Sequence, residues 1–526
     1  MSSEHGRLLR GLPPTGVEVQ DLVRSESGFG RFGRMFPDLP VAVYGADTQT
    51  TFPGSLEALI ALAGSMLKAD PGAPITEAEP EDENPEITAG YTYFGQFIDH
   101  DLTFDTASSL DRVNDPRAVQ DFRTSRFDLD SLYGKGPSDQ PYLYRAADGF
   151  CSLHQGGDKA PTGLPPRFDL ARNADGRAMT GDPRNDENKL VSQFHALFTD
   201  FHNILIGLTP QGTPDRFLKV QQQVRFHYQW LVVNDFLKTI LDRNVWATYF
   251  SQGLPALRFY RKEPETYPFI PVEFAVAAYR FGHSMIRPSY SLNNPVLTDI
   301  DAKHPRIPVF SGDPEPRNNL NGFGPLPDFW GIDWSFFFAG VAATSALDGQ
   351  IVPQPSYRID SLLVGQLAEL PEMQGQTPDW RRSLAARNLV RGRALGLPSG
   401  QRVALAIGET PLSDDALWRD PGNLDAATAA KRLAVYDQFH GFKMNAPLWY
   451  YVLREAEITQ KDGGSLGGHR LGVVGSTIVA ETFAALLLND QFSYLSVFPA
   501  FQPDLEGEDP ASFTIASLIN FVDRHH

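Results

Sequence analysis

The stretch Tyr93-Phe94-Gly95-Gln96-Phe97-Ile98-Asp99-His100-Asp101-Leu102-Thr103-Phe104-Asp105 concentrates groups able to move protons or hold cations. Gln96 and His100 are four apart, so on a helix they project from one face. Asp99, His100 and Asp101 are consecutive, and with 3.6 residues per turn each points about 100° from the next. One histidine between two carboxylates can therefore serve three different neighbours. A helix end with a capping acid and a satisfied histidine accounts for this stretch equally well.

Four further clusters follow. In Thr124-Ser125-Arg126-Phe127-Asp128-Leu129-Asp130-Ser131-Leu132-Tyr133-Gly134, side-chain oxygens at 124, 128 and 130 alternate with backbone carbonyls. That supply suits a hard cation such as calcium, which takes six to eight oxygens, although the spacing is not that of an EF-hand and a turn with Asx contacts would also explain it. Gly181-Asp182-Pro183-Arg184-Asn185-Asp186-Glu187-Asn188 leads into a helical stretch with His195, His202 and Asn203. Ala278-Tyr279-Arg280-Phe281-Gly282-His283-Ser284-Met285-Ile286 sets a histidine in an apolar run, beside a glycine that could let a flat ligand approach. A histidine on such a face is otherwise a core residue with a hydrogen-bond partner. The last cluster is Arg387-Asn388-Leu389-Val390-Arg391-Gly392-Arg393, followed by Gly396-Leu397-Pro398-Ser399-Gly400.

The elements that must position these groups read as mostly helical. Leu56, Leu59, Ile60, Ala63 and Leu67 share a face over 55–68. Thr213-Pro214-Asp215 offers an N-cap, a proline at the first helical position and an acid in the first turn, opening a helix to about Leu241. Residues 272–286, 382–394, 427–442 and 476–488 have helical patterning as well, strand-like alternation is short and scattered, and the acidic run Glu77–Glu86 reads as a surface loop. The expected architecture is one large, mainly α domain with long ordered loops and little β. An irregular arm (1–50), rich in Gly, Pro and Arg, would lie on a body formed by 51–526.

With 42% hydrophobic residues, the 526-residue chain has ample material for a large core. Its net charge of −18 argues against nucleic acid, whose phosphates require a basic face. No apolar run approaches the roughly 18 residues of a membrane span. The first residues lack the long apolar centre of a signal peptide, which leaves a cytoplasmic location or leaderless export. The single cysteine, Cys151, rules out an intramolecular disulfide and reads as a small buried side chain.

In order, spacing and residue choice the five clusters resemble the animal haem peroxidase family, of the peroxidase-cyclooxygenase type, over most of the chain. Gly-Gln-Phe-Ile-Asp-His-Asp (95–101) together with Phe-Asp-Leu-Asp-Ser-Leu-Tyr-Gly (127–134) makes the resemblance specific, and the 396–400 segment is similar to bacterial and peroxinectin-like members. The resemblance implies a helical fold, a buried haem b and a structural calcium ion. His100 matches the distal histidine, Gln96 the distal glutamine and Arg184 the distal arginine. His283 matches the iron's proximal ligand, and Asn388 the asparagine that accepts its ring N–H. Asp99 and Glu187 match acids that form ester bonds to haem methyl groups. Arg280 and Arg391 fall in the cofactor-binding segments. Asp101, Thr124, Arg126 (through its carbonyl), Asp128 and Asp130 match the calcium ligands.

The function implied is reduction of hydrogen peroxide, with oxidation of small donors through iron-oxo intermediates. Two departures narrow it. Fatty-acid oxygenating relatives carry a tyrosine three residues before the proximal histidine; here that position is Arg280, and Tyr279 is turned about 100° away on a helix. The strongest chloride oxidisers place a methionine directly after the second ester acid; here it is Asn188. Bromide, iodide, thiocyanate or phenolic donors are therefore expected. The alternatives are a haem-dependent fatty-acid dioxygenase and a non-haem metal site built from His195, His202 and His227; those histidines are expected to pack or hydrogen-bond instead. Trp330, Trp334 and Phe337 are expected in the core or a pocket wall, and no Arg-Gly-Asp is present to support integrin adhesion.

Overall fold

A computed structural model describes residues 30–45, 56–68, 80–104, 110, 115–116, 120–251, 257–262, 268–294, 306–313, 315, 318–342, 353–373, 375–422, 424–459 and 467–526. Helices dominate them and strands are short, as the periodicity predicts. The main helices are α1 (Leu56–Gly64), α2 (Ala89–Leu102), α3 (Lys189–Leu208), α4 (Arg216–Leu231), α5 (Leu384–Ala394), α6 (Gly400–Ile407), α7 (Ala426–Gln438), α8 (Leu448–Thr459), α9 (Val473–Asn489) and α10 (Ile515–Arg524).

Helices α2 and α3 form the frame of the site. Phe94 and Phe97 face Phe194 and Phe198, stacked at ring separations of 5.8 Å (Phe94–Phe194) and 5.1 Å (Phe97–Phe198). The three- and four-residue steps place these rings on one stripe of each helix, and burying each phenyl contributes roughly 1.5–3 kcal/mol. Asn188 caps α3: its Oδ1 accepts from the backbone N–H of Leu190 (3.1 Å) and Val191 (2.8 Å). Helix α9 is buried on every side from Val474 to Leu487, the pattern of a core helix. The carboxylate of buried Glu455 accepts from the N–H groups of Val474 and Gly475 and so satisfies its first turn.

Three expectations need correction. Residues 272–286 are not one helix: Val272–Ala275 forms a single turn, and Ala278–His283 a 3-10 segment. The break falls at Ala277 (φ −135°, ψ −79°), and Arg280 Nε donates to the carbonyl of Ala275 at 2.8 Å, taking the acceptor that a continuing helix would use. Helix α4 starts at Arg216 and not at Pro214, because Asp215 adopts a left-handed conformation (φ 52°); its far end passes through a π turn, Val232–Phe236, into Leu237–Ile240. The acidic run is only partly a loop. Its first part, 77–79, lies outside the described residues, whereas Glu83–Thr88 is strand β1, antiparallel to β2 (Pro355–Tyr357). Buried Asn84 anchors it by donating to the carbonyls of Gly468 and His469, and Arg287 pairs with Glu83 at 2.8 Å.

Of the expected arm, residues 30–45 are described, and they are stitched to distant parts of the chain. Gly30–Gly33 pairs antiparallel with Gln120–Asp121 and parallel with Ile270–Pro271. Buried Glu273 accepts from the N–H groups of Met35 (3.0 Å) and Phe36 (3.2 Å). Arg34 donates to the carbonyls of Leu395 (2.7 Å) and Gly396 (2.8 Å). Residues 1–29 and 46–50 lie outside the described residues.

Candidate active site

A cavity of about 600 Å³ opens between α2 and the 278–283 segment, within the size range of cofactor pockets. Gln96, Arg184 and Glu187 line one side, and Arg280, His283, Asn388 and Arg391 the other. An adjoining chamber of about 180 Å³ shares Gln96, Arg184, Glu187, Arg280 and His283 and adds Asp99 and His100. All nine residues expected around the cofactor thus meet at one place.

His100 is buried near the end of α2. Its Nδ1 lies 2.9 Å from Oδ1 of Asn185, and its Nε2 lies 3.3 Å from Oε1 of Glu187. Gln96 donates its amide to the same Glu187 oxygen, and Asn188 donates to Gln96 Oε1 at 3.0 Å. The position after Glu187 is therefore occupied by a helix cap that also orients Gln96. Arg184 pairs with Asp182 at 2.8 Å, donates to the carbonyls of Thr103 and His100, and sits over the ring of Phe104 (4.5 Å to the centroid). Its charge borders both chambers, but most of its donors clamp the end of α2 to the 182–187 turn.

Asp99 differs from the simplest picture of a carboxylate stranded against a ring. Burial opposes its charge, but Arg280 (3.7 Å away) and Arg184, with a 3.0 Å hydrogen bond from Thr103, hold its carboxyl below the usual range. On the opposite wall, burial and the neighbouring Arg280 bring His283 down to about 3, so its imidazole is neutral with a lone pair to offer. Asn388, on α5, turns its amide nitrogen to Nδ1 of His283 at 2.8 Å. The expectation that Asn388 accepts from this ring is met only after a half-turn of the amide; Nδ1 then donates and Nε2 keeps its lone pair. Trp449 of α8 packs edge-on to the same imidazole (6.4 Å, 77°). These features fit a flat, iron-bearing group: a buried cavity between two imidazoles, one a neutral nitrogen ligand, with cationic side chains at its edge.

A second constellation lies one residue beyond His100. Carboxylate oxygens of Asp101, Asp128 and Asp130 come within 4.8 Å of one another. Asp101 is fully buried, and neither of its carboxylate oxygens has a hydrogen-bond partner. Burial and the facing Asp128 and Asp130 drive its carboxyl well above the usual range, the effect of like charges brought together out of water. Thr124 joins the cluster, its hydroxyl donating to Asp128 at 2.9 Å and its N–H to Asp130 at 3.2 Å. Leu129, between the two acids, is held at φ 57°, a strained conformation for a γ-branched residue. The Arg126 side chain turns away towards Asp490 (3.8 Å). Gly181 lets the 181–187 turn lie directly on this loop, since a Cβ there would collide with the Asp130 carbonyl.

His195, His202 and His227 act as expected of hydrogen-bonding core residues. His195 meets Asn185, His202 lies between Tyr133 (3.0 Å) and the Cys151 carbonyl (2.8 Å), and His227 meets the Gln223 carbonyl (2.8 Å). Among the described residues the three aspartates are the one group with metal-ligand geometry. Trp330, Trp334 and Phe337 are core. Cys151 is half-buried, and burial with Asp148 pushes its thiol up, away from reactivity. Asn185 and Trp449 are the contributors that spacing alone does not reveal.

The sequence model of the animal haem peroxidase family matches residues 106–496. Dual oxidase of Drosophila melanogaster is 28% identical over 46% of this chain and 14% of its own length. Thyroid peroxidase of Sus scrofa is 26% identical over 72% of this chain and 38% of its own. The chain thus spans well under two thirds of the length of these relatives. Among solved structures, peroxidase A of Dictyostelium discoideum superposes with a TM-score of 0.55 at 16% identity, covering 89% of this chain and 88% of that one. A fatty acid alpha-dioxygenase of Arabidopsis thaliana superposes with a TM-score of 0.56 at 15% identity, covering 93% and 77%. At such identities the superpositions speak for the shared fold, and the match over 106–496, most of the chain, decides the relationship: this protein belongs to the animal haem peroxidase family.

Proposed function

We propose that the chain is a peroxidase, holding haem between His100 and His283 and coupling reduction of hydrogen peroxide to oxidation of bromide, iodide, thiocyanate or phenolic donors. The observation that carries this reading is that two imidazoles with opposite surroundings border one buried chamber. His283, neutral and backed by Asn388, suits an iron ligand; His100, with Nε2 towards the cavity and Glu187, suits a base. Bound haem supplies the redox centre. His100 would take the proton from the near oxygen of peroxide and return it to the departing one, a step worth ~10²–10⁴-fold. The charge of Arg184, fixed by Asp182, would favour the negative charge developing on that oxygen. Gln96 would orient water or a halide, and Arg280 and Arg391, which line the cavity, would help hold the cofactor.

Asp99 and Glu187 are the candidates for ester bonds to the cofactor. The three aspartates with Thr124, and the Arg126 carbonyl as a further donor, would hold calcium, which ties the end of α2 to the 124–130 loop and so steadies His100. The fatty-acid dioxygenase reading has the shared fold in its favour; against it, the position three before His283 is Arg280, engaged with Asp99.

A visible spectrum and two assays separate the readings. Haem-reconstituted protein should give a Soret band and oxidise iodide or a phenol only with peroxide. Oxygen uptake with a fatty acid in the absence of peroxide would favour the dioxygenase, and no Soret band would overturn both.

A further inference from the structure

The geometry points to Asn185 as a positioning residue that fixes which nitrogen of His100 exchanges a proton, an inference resting on the reading of His100 as the base. Asn185 is fully buried in the turn Pro183–Asp186. Its Oδ1 is 2.9 Å from Nδ1 of His100; its Nδ2 is 3.0 Å from Nδ1 of His195 and 3.4 Å from the carbonyl oxygen of Ser131.

An amide can be turned end for end, and its neighbours decide the outcome. His195 alone does not decide, because a neutral imidazole nitrogen can donate or accept. The Ser131 carbonyl only accepts, so the end of the amide facing it must be the NH₂. That commits Oδ1 to His100, where an oxygen can only accept. His100 therefore keeps a permanent proton on Nδ1. Any proton on Nε2 is a second one, arriving from outside the ring. Asn185 thus separates the two sites: Nδ1 is structural, and Nε2 is the exchanging site beside Glu187. Without this acceptor the ring could carry its single proton on Nε2, where it could not receive another from peroxide. Holding the correct tautomer is known to decide the efficiency of a histidine base.

The Ser131 carbonyl that orients the amide follows directly on Asp130 and also accepts from the N–H of Asp182 at 3.0 Å. The 128–131 loop therefore reaches His100 by two routes, through Asp101 along the helix and through Ser131 and Asn185 across space.

The test compares holoenzymes carrying Asn185→Leu, Asn185→Asp and, as a control, His100→Leu. Two rates are read: loss of the resting Soret band on mixing with peroxide, and association of cyanide, which must shed its proton before binding iron. Asn185→Leu should slow both by about tenfold or more, while Asn185→Asp, which still accepts from Nδ1, should stay within about threefold of wild type. The aspartate, like leucine, can no longer donate to the Ser131 carbonyl, so equal slowing in both variants would mean a structural role and overturn the inference. Wild-type rates in Asn185→Leu with full haem content would overturn it too. Should Asn185→Leu fail to hold haem, Asn185→Ala gives the same contrast with the aspartate. Unchanged rates in His100→Leu would instead reject His100 as the base.

Discussion

The guanidinium of Arg280 lies 3.7 Å from the carboxylate of Asp99, joining the segment that carries His283 to the helix that carries His100. Although burial opposes the charge, this pairing keeps Asp99 an anion. An ester at Asp99 would therefore replace an existing ion pair.

The expected outcome is haem that resists acidified organic solvent once the protein has met peroxide. The Asp99→Val/Glu187→Gln double variant should release it freely, and each single variant should keep one link. Asn188 should form no third, sulfur-based link. Mass spectrometry of haem-bearing peptides reads this directly, and free haem from peroxide-treated wild type would rule the esters out.

On the opposite wall, His283→Ala should lose haem or bind it without turnover, measured by Soret absorbance and peroxide-dependent oxidation. Asn388→Leu should retain haem but weaken its hold, since removing a ligand's hydrogen-bond partner typically costs 10–100-fold, roughly, in affinity or activity. Normal activity in His283→Ala would place the iron's ligand elsewhere.

His100→Ala should keep its haem and react with peroxide ~10²–10⁴-fold more slowly. Stopped-flow absorbance is the measurement, and an unchanged rate would remove His100 from the mechanism.

Purified protein never exposed to chelator should hold one calcium ion per chain, bound by Asp101, Asp128 and Asp130. Chelation should speed amide exchange in α2 and the 124–134 loop before it does so in α9, because the three acids then repel one another without a counter-ion. Metal analysis giving near-zero calcium in active protein would sink this.

What the sequence makes legible is chemistry organised locally. Gln96 and His100 are a helical i, i+4 pair, and Asp128 and Asp130 flank a single residue; both groupings survive in the structure. The role of Asn185 is hidden because its partners lie on three separate elements, α2, α3 and the Ser131 turn, at 85, 10 and 54 positions from it. The break after Ala275 was hidden for a similar reason. No proline or glycine lies between 272 and 281, and the carbonyl is taken by the Arg280 side chain, an interaction periodicity does not register.

Phe32 lines the large cavity, yet it belongs to the segment held down by Glu273 and by carbonyls at 395 and 396. Those last contacts span 361 and 362 positions of the chain. Closing so long a loop costs chain entropy. One wall of the pocket therefore depends on a seam between segments far apart in the chain. A change that loosens this seam would therefore be felt at Phe32 in the pocket wall, although its anchors, Arg34 and Glu273, are not among the groups that carry chemistry.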